Sequence, residues 1–389
     1  MRRTMTSPRH APSASRRLAL AVERAVQAGA RTAAHGWAEW RHGRREWHAA
    51  DFRGGVCHCA AGMPQHFVHS EGVREACDFV VDFGTNVRSP HRPHVDPARL
   101  GAAIAELGPG ASVHVKADLL DRFTAQLLPA LRHPVVLVTG DSDASPVRRH
   151  RALLDDPRIA HWFAQNCDVP ERHPRLTRLP IGLDNPVFNK LEKRLGFVVT
   201  MLLGRTPADA SALRNDIGDQ AELQRVRATL PHPTARPLRA LCTFHQNQKI
   251  VAPDLANLPD RALACRELAD HPLCEFVPRR LKQRECWARH GEFAFEVSPQ
   301  GNGLDCFRTW EALLLGTIPI VRRSTLNPLF EDERLPVAIV DTWADITAAA
   351  LARWRDELQP RLGAHVDEVL GLAHWVEKIK KASRSAGKS

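Results

Sequence analysis

The chain reads as an α/β protein built from two successive parallel-sheet halves, and three observations carry that reading. Short β-branched or aromatic runs recur, each stopped by a polar or glycine-rich turn. Helical segments separate several of them, and strand alternating with helix means a parallel sheet with helices on both faces. The 389 residues suffice for two full cores, and 43% hydrophobic with 25% charged content suits a soluble globular enzyme.

Residues 1–50 read as a basic, partly disordered extension carrying a helix from Leu18 to Trp40, docked by Trp37, Trp40 and Trp47. The first half, residues 51–195, contains the runs Phe79–Phe83, Val113–Lys116, Val135–Val138 and Ile159–Phe163. Helices are expected over Pro97–Glu106 and Leu119–Leu131, and Leu179–Pro186 leads out. The second half, residues 196–358, opens with a charged helix, Ala208–Leu230, and a strand, Leu238–Phe244. Helices Arg261–Ala269 and Arg280–His290 follow, then a βαβ unit over Phe293–Arg323, a strand at Val337–Val340 and a helix at Trp343–Leu358. Residues 359–389 read as a C-terminal helix with a basic tail. Together these predict two Rossmann-like domains facing each other across a cleft.

The net charge of +10 sits in the ends: +7 in residues 1–50 and +5 in residues 378–389, which leaves residues 51–377 at −2. A nucleic-acid enzyme carries its positive charge on the folded body, so no nucleic-acid partner is expected. The basic ends read as solvated tails or as a peripheral contact with anionic lipid. No run approaches the about 18–20 apolar residues of a membrane span, so no integral span is expected. Nine cysteines, most of them single within apolar segments, favour a reducing compartment. A cytoplasmic location is expected, and the Arg-, Ser- and Ala-rich start leaves organelle targeting open.

The βαβ unit carries the densest chemistry. Its strand ends at Pro299, and Gln300-Gly301-Asn302-Gly303 makes a loop where glycine permits positive φ and close ligand approach. Asp305 is placed to cap a helix bearing Phe307, Trp310, Leu313 and Leu314, and Gly316 is placed to end it. Backbone N–H groups at Gly301 and Gly303 with the guanidinium of Arg308 suit a diphosphate. Glu311, one turn on, makes either a surface ion pair with Arg308 or part of the same site. Gly301 and Gly303 also spell the first two glycines of G-x-G-x-x-G, with Cys306 at the third position. Arg322 and Arg323 stand where a 2′-phosphate would rest, so an NADP-dependent oxidoreductase stays open. Lys249 follows the first strand of this half and is placed to reach phosphate. Trp343 is a candidate for stacking on a ligand, and Trp310 for the core.

The segment PQGNGLDCFRTWEALLLGTIPIV resembles the nucleotide-sugar-binding segment of exostosin-like glycosyltransferases of the GT47 type and their GT-B relatives. Pro299, Gly301, Gly303, Asp305, Arg308, Glu311, Ala312, Leu313, Gly316, Pro319 and Ile320 carry the resemblance, which spans residues 240–358. It implies a GT-B-like fold and transfer of a sugar from a nucleotide-sugar cosubstrate to a glycan or other hydroxyl acceptor. No further cofactor is implied. The resemblance places Glu311 on the ribose, and Gly301, Gly303 and Arg308 near the diphosphate and sugar. Asn302, Asp305, Lys249 and Arg322, by their positions at the loop and the strand ends, are further candidate donor contacts. A non-catalytic nucleotide- or carbohydrate-binding module of the same fold is the remaining alternative.

Such enzymes assist the departing diphosphate with helix dipoles and basic side chains rather than a metal, and inversion needs a base from the first half. Asp82, His91, Asp118 and Asp141 end strands there, and Asp118 and Asp141 are the preferred candidates. Asp141-Ser142-Asp143 reads as a turn or as a Mg²⁺ pair. Cys57, His58, Cys59, His66 and His69 have spacings that suit zinc, but there is no second C-x-x-C and a plain loop is favoured.

Overall fold

The computed structural model describes residues 67–81, 97–183, 216–244, 260–277 and 281–388. The helix expected over Leu18–Trp40 lies outside them, as do Cys57, His58, Cys59, His66, Asp82, His91 and Lys249. Within them the predicted α/β class is found, with two parallel sheets of five strands, one in each half.

The first sheet joins β1 (Phe79–Val81), β2 (Ser112–Lys116), β3 (Val135–Gly140), β4 (Ile159–Ala164) and β5 (Leu176–Arg178) in sequence order. Right-handed crossovers between strands in that order fall on one face. Accordingly α2 (Pro97–Ile104) and α3 (Leu120–Gln126) share one core with Val135 and Leu137. Period-2 alternation sends Val136, Val138 and Phe163 to the opposite face, where α1 (Ser70–Glu75) and other helices cover them.

The second half opens with α4 (Asp216–Thr229) and β6 (Ala240–Cys242), then α5 (Asp260–Leu268), β7 (Cys274–Phe276) and α6 (Gln283–Arg289). β8 (Phe295–Val297), α7 (Phe307–Leu314), β9 (Ile318–Arg322), α8 (Asn327–Asp332), β10 (Ala338–Val340) and α9 (Ala348–Leu358) complete it. Its strand order, β10-β9-β8-β6-β7, reverses direction between β6 and β8. Helices therefore lie on both faces: α5 and α9 over Phe295 and Ile318, α6 and α7 on the side of Val321. Such a reversal opens a crevice beyond the carboxyl ends of the two flanking strands.

α10 (Ala364–Val369) and α11 (Leu372–Ala386) take the chain back to the first sheet. α11 packs on β2, β3 and β4, burying Trp375 and Ile379 in a core that also holds Trp310 and Leu313 of α7. The expected solvated tail is thus a helix with defined partners: Lys378 pairs with Glu333, and Arg384 with Glu377. Lys380, Lys381 and Arg384 stay exposed while the apolar stripe docks. No helix among the described residues is long and apolar enough to cross a membrane.

β5 and β7 were not expected from sequence; each is three residues long, too short to show periodicity. Gly316 ends α7 as predicted. It adopts φ +74°, its N–H donates to Leu313, and the Thr317 N–H donates to Ala312, which is a Schellman motif. Asp305, by contrast, is not the cap of α7. Cys306 holds that position and no side chain caps it.

Asp305 instead joins the two halves. Its Oδ2 accepts the Ile181 N–H at 2.8 Å, and its Oδ1 accepts the Cys306 N–H at 2.8 Å and the Trp310 indole N–H at 2.9 Å. Its own N–H donates to Asn166 Oδ1 at 2.8 Å. Asp305→Ala leaves the Ile181, Cys306 and Trp310 donors unpaired at about 1–3 kcal/mol each, so a loss of at least about 3 kcal/mol is expected in urea unfolding. A loss below about 1 kcal/mol would refute this role.

Candidate functional site

The carboxyl ends of both sheets meet around the glycine loop. Gly301 and Gly303 do not use the left-handed backbone the sequence led us to expect; neither appears among the positive-φ glycines. Their value is close packing. A Cβ on Gly303 would stand 2.9 Å from Asn166 Oδ1 and 3.0 Å from the Asp143 carbonyl, so the loop presses directly on the first half. A Cβ on Gly301 would stand 3.3 Å from Cys306 Cβ and 3.5 Å from an Arg261 nitrogen.

Arg308 lies across the crevice at the β6–β8 reversal. Its Nε donates to Thr243 Oγ1 at 3.2 Å and lies 3.8 Å from Glu296 Oε1, while Nη1 donates to the Pro299 carbonyl at 3.2 Å. The guanidinium also stands over Phe244, 5.6 Å from the ring centroid. Beneath it Glu296, in the middle of β8, is fully buried against His290. The ring nitrogens of His290 face Glu296 Oε2 and the Cys286 carbonyl. Burial opposes a charge on the ring, but Glu296, the Cys286 carbonyl and Glu311 together raise its pKa. Nothing in the local pattern marks this pair: His290 ends a charged helical segment, and Glu296 stands six residues on, between Phe295 and Val297.

Arg261 was also missed. It opens α5, 39 residues before the loop, and its Nε donates to the Gln300 carbonyl at 3.0 Å. Burial first, then the positive charge of Arg308, pulls its pKa down. Among the described residues it makes no ion pair. Asp260 beside it accepts the Gln300 N–H at 3.0 Å and pairs with Arg322 at 3.0 Å. Arg322 is thereby tied behind the loop. Arg323 pairs with Asp341 at 2.6 Å.

Glu311 makes no ion pair with Arg308. Its side chain faces α6, with Gln283 Nε2 at 3.5 Å. The Trp287 indole N–H lies near enough to favour the carboxylate but meets no acceptor at hydrogen-bonding geometry. Burial pushes the Glu311 carboxyl up to about 7. Burial likewise raises Asp305 to about 7 despite its three donors. Trp343, a stacking candidate by sequence, is fully buried in the core with α5 and α9, as Trp310 is in the other core.

On the first half, Asp118 accepts from Ser142 Oγ and pairs with Lys116 at 3.1 Å. Asp141 has φ +54°, and its N–H donates to Gln165 Oε1 at 3.0 Å. Asp143 adjoins the glycine loop across the junction through its carbonyl, and burial raises its carboxyl pKa while the Asn302 side chain lowers it. Asn166, also unforeseen, bridges the Ser142 carbonyl at 2.9 Å and the Asp305 N–H. Among the described residues no group of three or more His, Cys, Asp or Glu is placed to hold a metal. His69, the described member of the zinc spacing, is buried with Nδ1 on the Phe67 carbonyl at 3.0 Å. Two other cavities lie elsewhere: about 630 Å³ between β4 and α11, and about 310 Å³ beside Pro233 and Gly316. Neither adjoins the glycine loop. We assign the site by the convergence of cations, not by cavity size.

No family model matches the chain, and no curated protein matches it. Among solved structures it is similar to a crystal structure of the GtfA/B complex, at 10% identity and a TM-score of 0.33. The likeness covers 78% of this chain and 64% of that one, so the chain spans less than two thirds of that neighbour. At this distance it assigns neither fold nor activity.

The raised Glu311 pKa has a stability consequence. Between its ordinary value and about 7 the folded chain keeps a proton that the unfolded chain has lost. Stability from this group is therefore full at low pH and lost as pH rises through about 7. Glu311→Gln is expected to melt with the wild type at pH 5 and about 2–4 °C above it at pH 8. A gap that does not change with pH would refute this.

Proposed function

We propose that the chain is a glycosyltransferase that moves a sugar from a nucleotide-sugar donor to a hydroxyl acceptor, with inversion and without metal assistance. The observation that carries this reading is the pair Arg261 and Arg308 on the glycine loop at the β6–β8 reversal. Arg261 makes no ion pair among the described residues, and burial and then Arg308 lower its pKa against the smaller pull of neighbouring Asp260. Two guanidiniums held against their mutual repulsion favour a bound dianion, and a diphosphate satisfies both.

The chemistry follows from that placement. As the bond between the sugar and diphosphate breaks, negative charge grows on the leaving oxygen. Arg308 is already fixed by Thr243, Pro299 and Glu296, so it stabilises that charge without reorganising. The N-terminus of α7 adds a favourable dipole. Glu311, when ionised, accepts from the ribose hydroxyls. The exostosin-like motif supports the same assignment. The NADP reading is less favoured, because Arg322, the 2′-phosphate ligand it needs, is held by Asp260.

Calorimetry with a panel of UDP- and GDP-sugars tests the reading. Binding is expected in the wild type, weakened about 10–100-fold by Arg261→Ala, the worth of a charge-assisted hydrogen bond. Glu311→Ala is expected to weaken binding of the nucleoside part and to abolish most turnover. Failure of every nucleotide sugar to bind would sink the proposal, as would binding without transfer or hydrolysis.

A further inference from the structure

Three carboxylates of the first half cluster at the ends of β2 and β3, and their surroundings separate them. Asp118 is engaged on both oxygens, by Ser142 Oγ and by Lys116. Asp141 belongs to the back of the cluster: its backbone is fixed by Gln165, and its charge is felt by Arg74, which is buried on α1. Asp143 adjoins the glycine loop, where burial raises its carboxyl pKa and the Asn302 side chain acts on that carboxyl to lower it. Its backbone is pinned there as well. The Asp143 carbonyl lies where a Gly303 side chain would begin, and Asn166 holds both the neighbouring Ser142 carbonyl and the Asp305 N–H.

We propose that Asp143, rather than Asp118 or Asp141, is the general base that activates the acceptor. The inference rests on the transferase reading. A base must stand within hydrogen-bonding reach of the attacking hydroxyl, which in turn must meet the sugar carbon bound to the diphosphate. Asp143 is the carboxylate of the three that adjoins the loop assigned to that diphosphate. One of its oxygens takes the acceptor proton. The acceptor oxygen then bonds to the anomeric carbon, and the carbon–oxygen bond to the diphosphate breaks. Its electron pair leaves with the nucleoside diphosphate, opposite Arg261 and Arg308. With water as acceptor the same step hydrolyses the donor. Burial raises the Asp143 pKa, the direction a base needs, with the Asn302 amide opposing that shift and Asp118 reinforcing it.

The test uses the full-length chain and the nucleotide sugar that binds best in the UDP- and GDP-sugar panel, with donor hydrolysis as the readout. Asp143→Ala is expected to lose about 10²–10⁴-fold in turnover while its donor dissociation constant stays within about threefold of wild type. Added formate is expected to restore part of the hydrolysis by taking the proton in place of the missing carboxylate. Asp143→Asn, which is isosteric, is expected to lose turnover equally, so a folding defect in the alanine variant leaves the test intact. Retained turnover in Asp143→Asn would overturn the assignment while leaving donor binding, and hence the transferase reading, standing. A wild type that binds no nucleotide sugar would overturn that reading first and this one with it.

Discussion

One buried carboxylate fixes how the two halves meet. Asp305 gathers an N–H from Ile181 of the first half, an N–H from Cys306 at the start of α7, and the indole of Trp310 in the shared core. Desolvating a carboxylate is costly, and the three donors recover much of that cost only if all are in place. The contact is therefore specific as well as stabilising. A small displacement of either half strands a charge or a donor, so the glycine loop has one position relative to Asp143 and Asn166.

A second buried network sets the cation that the proposed chemistry uses. Glu296 occupies a strand position where an apolar residue would pack without desolvation cost. It engages His290 on one side and Thr243 and Arg308 on the other. Replacing such a group with a hydrophobe is often neutral or favourable for stability. Its presence at the strand reversal is better understood through Arg308, whose guanidinium it orients toward the crevice.

The sequence made much of the fold legible, and the reasons it did are physical. β3 and β9 are largely apolar runs rich in β-branched residues because both of their faces are buried, and α7 has a clean helical stripe ended by Gly316. β5 and β7 are too short to signal, and their pairing depends on neighbours remote in sequence. The loop was found, but its glycines were misread: they permit contact between halves, which local spacing cannot show. Asp305 stood where a cap belongs, yet its partners lie 124 residues away and within the core. Arg261 and Asn166 could not be picked out, since nothing near them in sequence says that they converge on the loop.

The return of α11 to the first sheet has a consequence for how this protein can be divided. Trp375 and Ile379, supplied by the end of the chain, cover a face that the first half's own crossovers leave bare. The first half therefore lacks, within its own sequence segment, part of what seals its core. Separate expression of the halves, or exchange of one of them with a related protein, preserves both cores only when this final helix travels with the first half. The unit of folding and of inheritance is discontinuous in sequence.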